Sequence, residues 1–144
     1  MEIIEFKKEY IDQVVQIEND SFDHPFPRDF FLNEKVNNPY SRFLLLVDNN
    51  EVLAYIDYWI TFDSSTLAKI AVSKKHLRKG YASKLMDFMV FDLENNNVDT
   101  CTLEVRVSNI PAISLYLKYD FVKITIKEKY YDDGEDAIYM VKGV

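Results

Sequence analysis

The chain has 144 residues, of which 48% are hydrophobic and 28% charged, with a net charge of −7. That suits one compact domain over residues 1–144, long enough to bury roughly two-thirds of its unfolded surface, and argues against a general nucleic-acid binder. No apolar run approaches the ~20 residues of a membrane span, the start MEIIEFKKEY carries charges where a signal peptide needs an apolar stretch, and the lone Cys101 excludes an internal disulfide, so a cytoplasmic protein is expected.

EIIEF reads as a short first strand. In EYIDQVVQIENDSF, Ile11, Val14, Val15 and Ile17 recur at helical spacing. HPFPRDFFLNEKV restarts as a second helix near Pro27, because proline is tolerated in a first helical turn. RFLLLVDNNEVLAYIDYWITF is two apolar strands joined at Asp48-Asn49-Asn50, and STLAKIAV is a further strand. KGYASKLMDFMVFDLENNN is an amphipathic helix with Leu85, Met86, Met89, Val90 and Leu93 as its apolar stripe. TLEVRV alternates as a strand and feeds a short helix from Ile110, which Asn109 would cap. FVKITIKEKYY and DAIYMVKG close the chain as strands around the acidic run Asp132 to Asp136. The predicted order is βααβββαβαββ. It implies a mixed α/β fold of α+β character with helices on both faces of one sheet.

Two places carry chemistry. Before the long helix, Lys74, Lys75, Arg78 and Lys79 crowd around Gly80 and Ala82 in an otherwise acidic chain. A helix N-terminus with a positive field and small residues is a ready anion site, and an ordinary solvated basic loop is the alternative. The second place is Glu104, a carboxylate in the middle of a strand that feeds a helix, a type usually buried on both faces in an α/β protein. It is either a group facing a cleft or a solvated charge paired with a nearby Lys or Arg. Cys101 lacks a nearby His partner, and His24 and His76 are too few and too far apart in sequence to suggest a metal site.

IAVSKKHLRKGYASKLM resembles the acyl-CoA-binding motif of the GNAT acetyltransferases, Gln/Arg-x-x-Gly-x-Gly/Ala after a strand. It falls on Leu77-Arg78-Lys79-Gly80-Tyr81-Ala82, with Leu77 where the family prefers Gln or Arg. LEVRVSNIPAISLYLKYDF and KYYDDGEDAIYM resemble the C-terminal half of the RimI-type N-terminal acetyltransferases, which modify an alanine on a small-subunit ribosomal protein. FDHPFPRDFF is similar to their early Phe-x-x-Pro-Trp-Ser segment, with Phe26 and Pro27 replacing Trp-Ser.

The resemblance implies a mostly antiparallel mixed sheet with two splayed central parallel strands. It implies acetyl-CoA as co-substrate, with no metal. Leu77, Arg78, Lys79, Gly80, Tyr81, Ala82 and Ser83 would cradle the pyrophosphate, and Asn109 and Tyr116 would also touch CoA. A backbone N–H near Ile70, Ala71 or Val72 would serve the oxyanion. Glu104 would be the general base and Tyr116 the general acid. Phe26, Tyr130 and Tyr131 would line a peptide cleft whose acceptor is a protein N-terminus, a basic ribosomal protein by analogy. Acetylation of a small-molecule amine, or a non-catalytic CoA-binding module, are the competing readings.

Overall fold

The computed structural model describes residues 1–144. Its strands are β1 (Glu2–Glu5), β2 (Ser41–Asp48), β3 (Glu51–Thr61), β4 (Ser64–Val72), β5 (Thr100–Arg106), β6 (Val122–Lys127) and β7 (Ala137–Gly143). Its helices are α1 (Ile11–Ser21), α2 (Arg28–Asn37), α3 (Tyr81–Asn95) and α4 (Ile110–Lys118), and the order along the chain matches the predicted one. All strands join one sheet in the order β1-β2-β3-β4-β5-β7-β6. Every neighbouring pair is antiparallel except β4 with β5.

The sheet has a core on each face. α1 and α2 cover one face through Val14, Ile17 and Phe31, packed on Phe43, Leu45 and Tyr55. α3 and α4 cover the other through Leu85, Met86, Met89, Leu93, Ile113 and Tyr116. The spacing of the four α3 residues is that of a helical stripe, and each is fully buried. Val90, expected in the stripe, is only half-buried and lies at its margin.

The β2–β3 hairpin turns at Asn49 and Asn50, both at positive φ, the backbone that asparagine tolerates best after glycine. The last hairpin differs from expectation. β6 stops at Lys127 instead of continuing to Tyr131, so Tyr130 and Tyr131 lie on a connecting loop. The physical reason lies in the loop itself. Lys129 takes positive φ, its N–H donates to Asp136 Oδ1 at 2.9 Å, and Tyr131 N–H donates to the Glu135 carbonyl at 3.2 Å. These bonds fold the segment on itself before a ladder can form.

The parallel pairing of β4 and β5 is short. Ser64 to Thr66 pair with Thr100 to Thr102, and the ladder ends there. A bulge in β4 follows directly. On β3, Tyr58 pairs with Leu67 and Asp57 with Lys69, so Ala68 is the extra residue. A bulge bends its strand and disrupts the ladder. It also resets the alternation: Leu67 packs in the α3/α4 core, but Ala71 packs in the α1/α2 core. β4 and β5 therefore splay where Glu104 sits, while β5 stays paired with β7 from Thr100 to Arg106.

Under α2 lies a buried acidic pair. Asp57 is 1% exposed and accepts from Ser41 Oγ at 2.7 Å, while its Oδ2 has no partner. Glu34 beside it accepts from Trp59 Nε1 and Asn38 Nδ2. Burial, reinforced by the Glu34 carboxylate, pushes the Asp57 pKa up to about 9. A raised carboxyl pKa means that the folded state holds the proton more tightly, so stability is lost as pH rises from the unfolded value toward the folded one. Asp57→Asn should relieve this. In thermal melts the variant's advantage over the parent should be about 1–3 kcal/mol greater at pH 8 than at pH 5. An advantage that does not grow with pH would mean that Asp57 is ionised in the fold.

Candidate active site

Two cavities meet at the splay. The first, of about 410 Å³, runs from the free side of β4 to the start of α3 and is lined by Ile70, Ala71, Val72, Leu77, Ala82 and Asn109. The second, of about 380 Å³, opens on the α1/α2 side and is lined by Phe26, Lys69, Glu104, Tyr116 and Tyr131 among others. Phe22, Ile70, Asn109 and Ala112 line both, so the gap between β4 and β5 joins them.

The start of α3 has the features of an anion cradle. Gly80 is its N-cap, at φ 79° and ψ 15°, a left-handed conformation that glycine adopts without steric cost. No side chain caps this end, and a Cβ on Gly80 would meet nothing within 4 Å. The first-turn N–H groups of a 15-residue helix thus stand beside open space, with Lys74, Lys75, Arg78 and Lys79 exposed on the approaching loop. A diphosphate fits this donor set. Leu77 and Ala82 line the adjoining cavity, whereas Arg78 and Lys79 belong to the exposed loop and Tyr81 and Ser83 are half-buried on α3.

Across the gap, Glu104 faces the second cavity. Its Oε1 accepts from Lys127 Nζ at 2.8 Å, and its side chain is 23% exposed. The Lys127 ammonium also lies over the rings of Tyr139 and Tyr130, and its hydrogen bond to Glu104 holds its proton more tightly than usual. Glu104 therefore has both features considered from sequence: a cleft position and a lysine partner.

Tyr116 reaches the cavity from α4 while packing edge-on against Phe121. Burial pushes its phenol pKa well above the ordinary value, so it holds its proton across the physiological range. Asn109 starts α4, and its Oδ1 accepts from the Ala112 N–H at 3.3 Å. Asn109 and Ala112, one turn before Tyr116, are thereby fixed at the junction of the cavities.

The outer wall is the β6–β7 loop. Arg106 Nη1 donates to both oxygens of Asp133 and to Glu135 Oε1, and its guanidinium lies 4.0 Å from the Tyr131 ring centroid. Tyr131 lines the cavity, while Tyr130 stacks edge-on against it and stays half exposed. His24, on the α1–α2 segment, meets Asp133 at 3.0 Å, so the two walls touch at the rim. The other acidic side chains at the cavity are Asp23 and Glu135.

Cys101 lines neither cavity. It is fully buried, and burial pushes its thiol pKa up, which leaves no thiolate for a covalent route. His76 pairs with Glu51 at 2.9 Å, away from His24. No group of three His, Cys, Asp or Glu side chains is placed to hold a metal ion.

Sequence reasoning did not single out Lys69, Glu18, Arg106 or Lys127. Lys69 left a signal: it is the one cation inside the apolar strand STLAKIAV. Glu18 left another, as a carboxylate within the apolar stripe that holds Val14 and Ile17. The pairings of Arg106 and Lys127 join residues more than twenty positions apart and left none.

The sequence profile of the Acetyltransferase (GNAT) family matches residues 11–121. A Bacillus subtilis protein provisionally named ribosomal protein bS18-alanine N-acetyltransferase is 34% identical over 133 residues, covering 92% of this chain and 88% of that protein. An N-alpha-acetyltransferase of Saccharolobus solfataricus is 34% identical over 145 residues, covering 92% and 86%. Among solved structures, the ribosomal-protein-S18-alanine N-acetyltransferase of Escherichia coli superposes with a TM-score of 0.88 at 29% identity, covering 99% of this chain and 93% of that one.

The geometry makes Arg106 the tie of the outer wall. Arg106→Met should leave β5 in place but free the loop. By hydrogen exchange, the amides of Tyr131 and Gly134 should exchange about tenfold faster or more, since bonds to charged groups contribute most. Unchanged exchange would assign the loop's order to its own backbone bonds.

Proposed function

The chain belongs to the GNAT acetyltransferase family and is an N-acetyltransferase, and from that premise we propose that it transfers the acetyl group of acetyl-CoA to a protein N-terminal α-amine. In this reading residues 1–144 form a single catalytic domain acting in the cytoplasm. The single observation that carries it is the junction of the two cavities at the splayed strands, with the phosphate-suited helix start on one side and Glu104 on the other.

Acetyl-CoA, when bound, supplies the acetyl group as a thioester. The Gly80 turn and the α3 N–H groups would hold its pyrophosphate. The free side of β4 at Ile70 to Val72 would offer a backbone donor to the oxyanion, the kind of preorganised stabilisation that contributes most to the rate of many acyl transfers. Glu104 would take a proton from the incoming ammonium, directly or through water, so that the neutral amine attacks the carbonyl carbon. As the C–S bond breaks, Tyr116 would give its proton to the departing sulfur, and the proton shed by the new amide nitrogen would restore the phenol through water. The phenol is protonated at neutral pH, as a donor must be, although burial, by raising its pKa, makes it a weaker acid toward a thiolate. Phe26 and Tyr131 would flank the acceptor's first residues, with Tyr130 bracing Tyr131.

The acceptor is read from the relatives' names together with the acidic rim. Asp23, Asp133 and Glu135 line the cavity, so a basic N-terminal segment is favoured electrostatically. An alanine-initiated segment of a ribosomal protein fits that description. One observation favours a different role for Glu104: Lys127 already occupies Oε1, as it would if the carboxylate served only to pin β6 to β5.

Two measurements test these points. Gly80→Asp places a carboxylate, in a strained conformation, at the helix start. The acetyl-CoA Kd by calorimetry should rise about tenfold or more, and an unchanged Kd in a folded variant would mean that the pyrophosphate binds elsewhere. Glu104→Gln should slow acetylation of an Ala-initiated peptide by about 10²-fold or more near pH 7, with little change in acetyl-CoA affinity. The deficit should shrink once the pH passes the amine's own pKa, about 7.7–8.0 for a free α-amine. A deficit that is the same at every pH would assign Glu104 to positioning, in keeping with its Lys127 partner.

A further inference from the structure

Glu18 is a carboxylate with no solvent exposure, set in the core-facing stripe of α1. It takes donors from three other segments. Tyr55 of β3 gives its hydroxyl to Oε1. Lys69 of β4 gives Nζ to Oε2 at 2.7 Å, and the Phe26 N–H of the α1–α2 segment gives to the same oxygen at 2.9 Å. The remaining surface of the Lys69 ammonium lies against two rings, 3.8 Å from the Phe26 centroid and 4.3 Å from that of Phe22. A largely desolvated cation so placed is held by ion pairing and by ring faces together.

Phe22, Phe26 and Lys69 all line the acceptor-side cavity. The segment between α1 and α2 that carries the two rings has no regular structure, and Phe26 is tied to the body of the protein by Glu18. Lys69 reaches the pair only because the bulge at Ala68 turns it toward the α1/α2 face.

We propose that the ion pair of buried Glu18 with Lys69 is a positioning device that holds the Phe22–Phe26 wall against β4 and thereby restricts the acceptor's first residue to a small side chain. The proposal rests on the reading of this cavity as the acceptor site. Its physical basis is that removing one partner leaves the other as an uncompensated buried charge. The site would then admit water, and the wall would move outward. Room for one or two further methylenes is enough to change selectivity by one or two orders of magnitude. Neither Glu18 nor Lys69 need touch the reacting atoms for this.

The test compares kcat/KM for two peptides differing only in an initial Ala or Leu, in the parent, Lys69→Met and Glu18→Gln. Glu18→Gln keeps an acceptor for the Phe26 N–H and leaves no buried carboxylate, so it serves if Lys69→Met fails to fold. The Ala-to-Leu ratio is insensitive to the fraction of protein folded, which scales both peptides equally. The expected result is a ratio lowered about tenfold in both variants, with faster hydrogen exchange at the Phe26 amide in Lys69→Met. An equal loss for both peptides, with the ratio intact, would make the pair a stability element only and overturn the proposal. A parent enzyme that acetylates neither peptide nor any other α-amine would sink the acceptor reading itself, and the size filter with it.

Discussion

The early end of the β4–β5 ladder is the constraint on which the rest of the molecule depends. Two parallel strands inside a sheet ordinarily pair along their length and are covered on both faces. Here pairing lasts only from Ser64 to Thr66 against Thr100 to Thr102, and the bulge at Ala68 then bends β4 away. The backbone groups released there need a partner other than a neighbouring strand, because buried unpaired N–H and C=O groups are costly. An open cavity on each side of the gap meets that need with solvent or a ligand. On one face of β5, Glu104 and Arg106, which a covered sheet would bury, border the cavity instead. This is why a carboxylate at Glu104 can be tolerated in the middle of a strand whose Cys101, Leu103 and Val105 are core.

The two faces of the sheet are built differently, and the difference serves the site. The α3/α4 side is an apolar core in which Met86, Met89 and Leu93 are fully buried. It gives α3 a rigid seat and so fixes the Gly80 end of that helix. The α1/α2 side carries a chain of buried carboxylates: Glu34 and Asp57 under α2, then Glu18 near the cavity, paired with the half-buried Lys69. Such groups add little to stability, since desolvation offsets most of the attraction. They impose geometry instead, because each donor and acceptor must be met in place. Glu18 alone holds α1, β3, β4 and the α1–α2 segment in one arrangement.

The rim of the second cavity has a third character. Arg106 is shared between Asp133 and Glu135, and His24 meets Asp133 from the opposite wall. Hydrogen bonds from the loop and from Ser108, together with the Arg106 guanidinium, lower the pKa of both carboxyls. The two carboxylates in turn raise that of the guanidinium, outweighing its partial desolvation. These groups are exposed enough for salt to screen them, so the loop they organise is the more adjustable wall. The Phe22–Phe26 wall is tied instead through Glu18, which has no solvent exposure.

The sequence by itself determined the elements, their order and the features of the helix start at Gly80. Periodicity marked Leu85, Met86, Met89 and Leu93, and Gly80 with its basic neighbours marked a helix start suited to an anion, because those signals are local and carried by adjacent residues. The same held for Asn109, whose capping bond reaches only to Ala112. Glu104 was conspicuous, but its surroundings were not legible. Whether a strand carboxylate meets solvent, a cleft or a lysine depends on which strands lie beside it, and Lys127 arrives from 23 residues away. Only the tertiary structure decided that Tyr130 and Tyr131 sit on a loop, because their segment is folded by bonds to Glu135 and Asp136 and by Arg106 on another strand. Lys69 shows the limit most plainly. Strict alternation along β4 would send it to the same face as Leu67, into an apolar core. One extra residue at Ala68 reverses that and delivers it to Glu18, and a bulge is set by the pairing partner as much as by the strand that carries it.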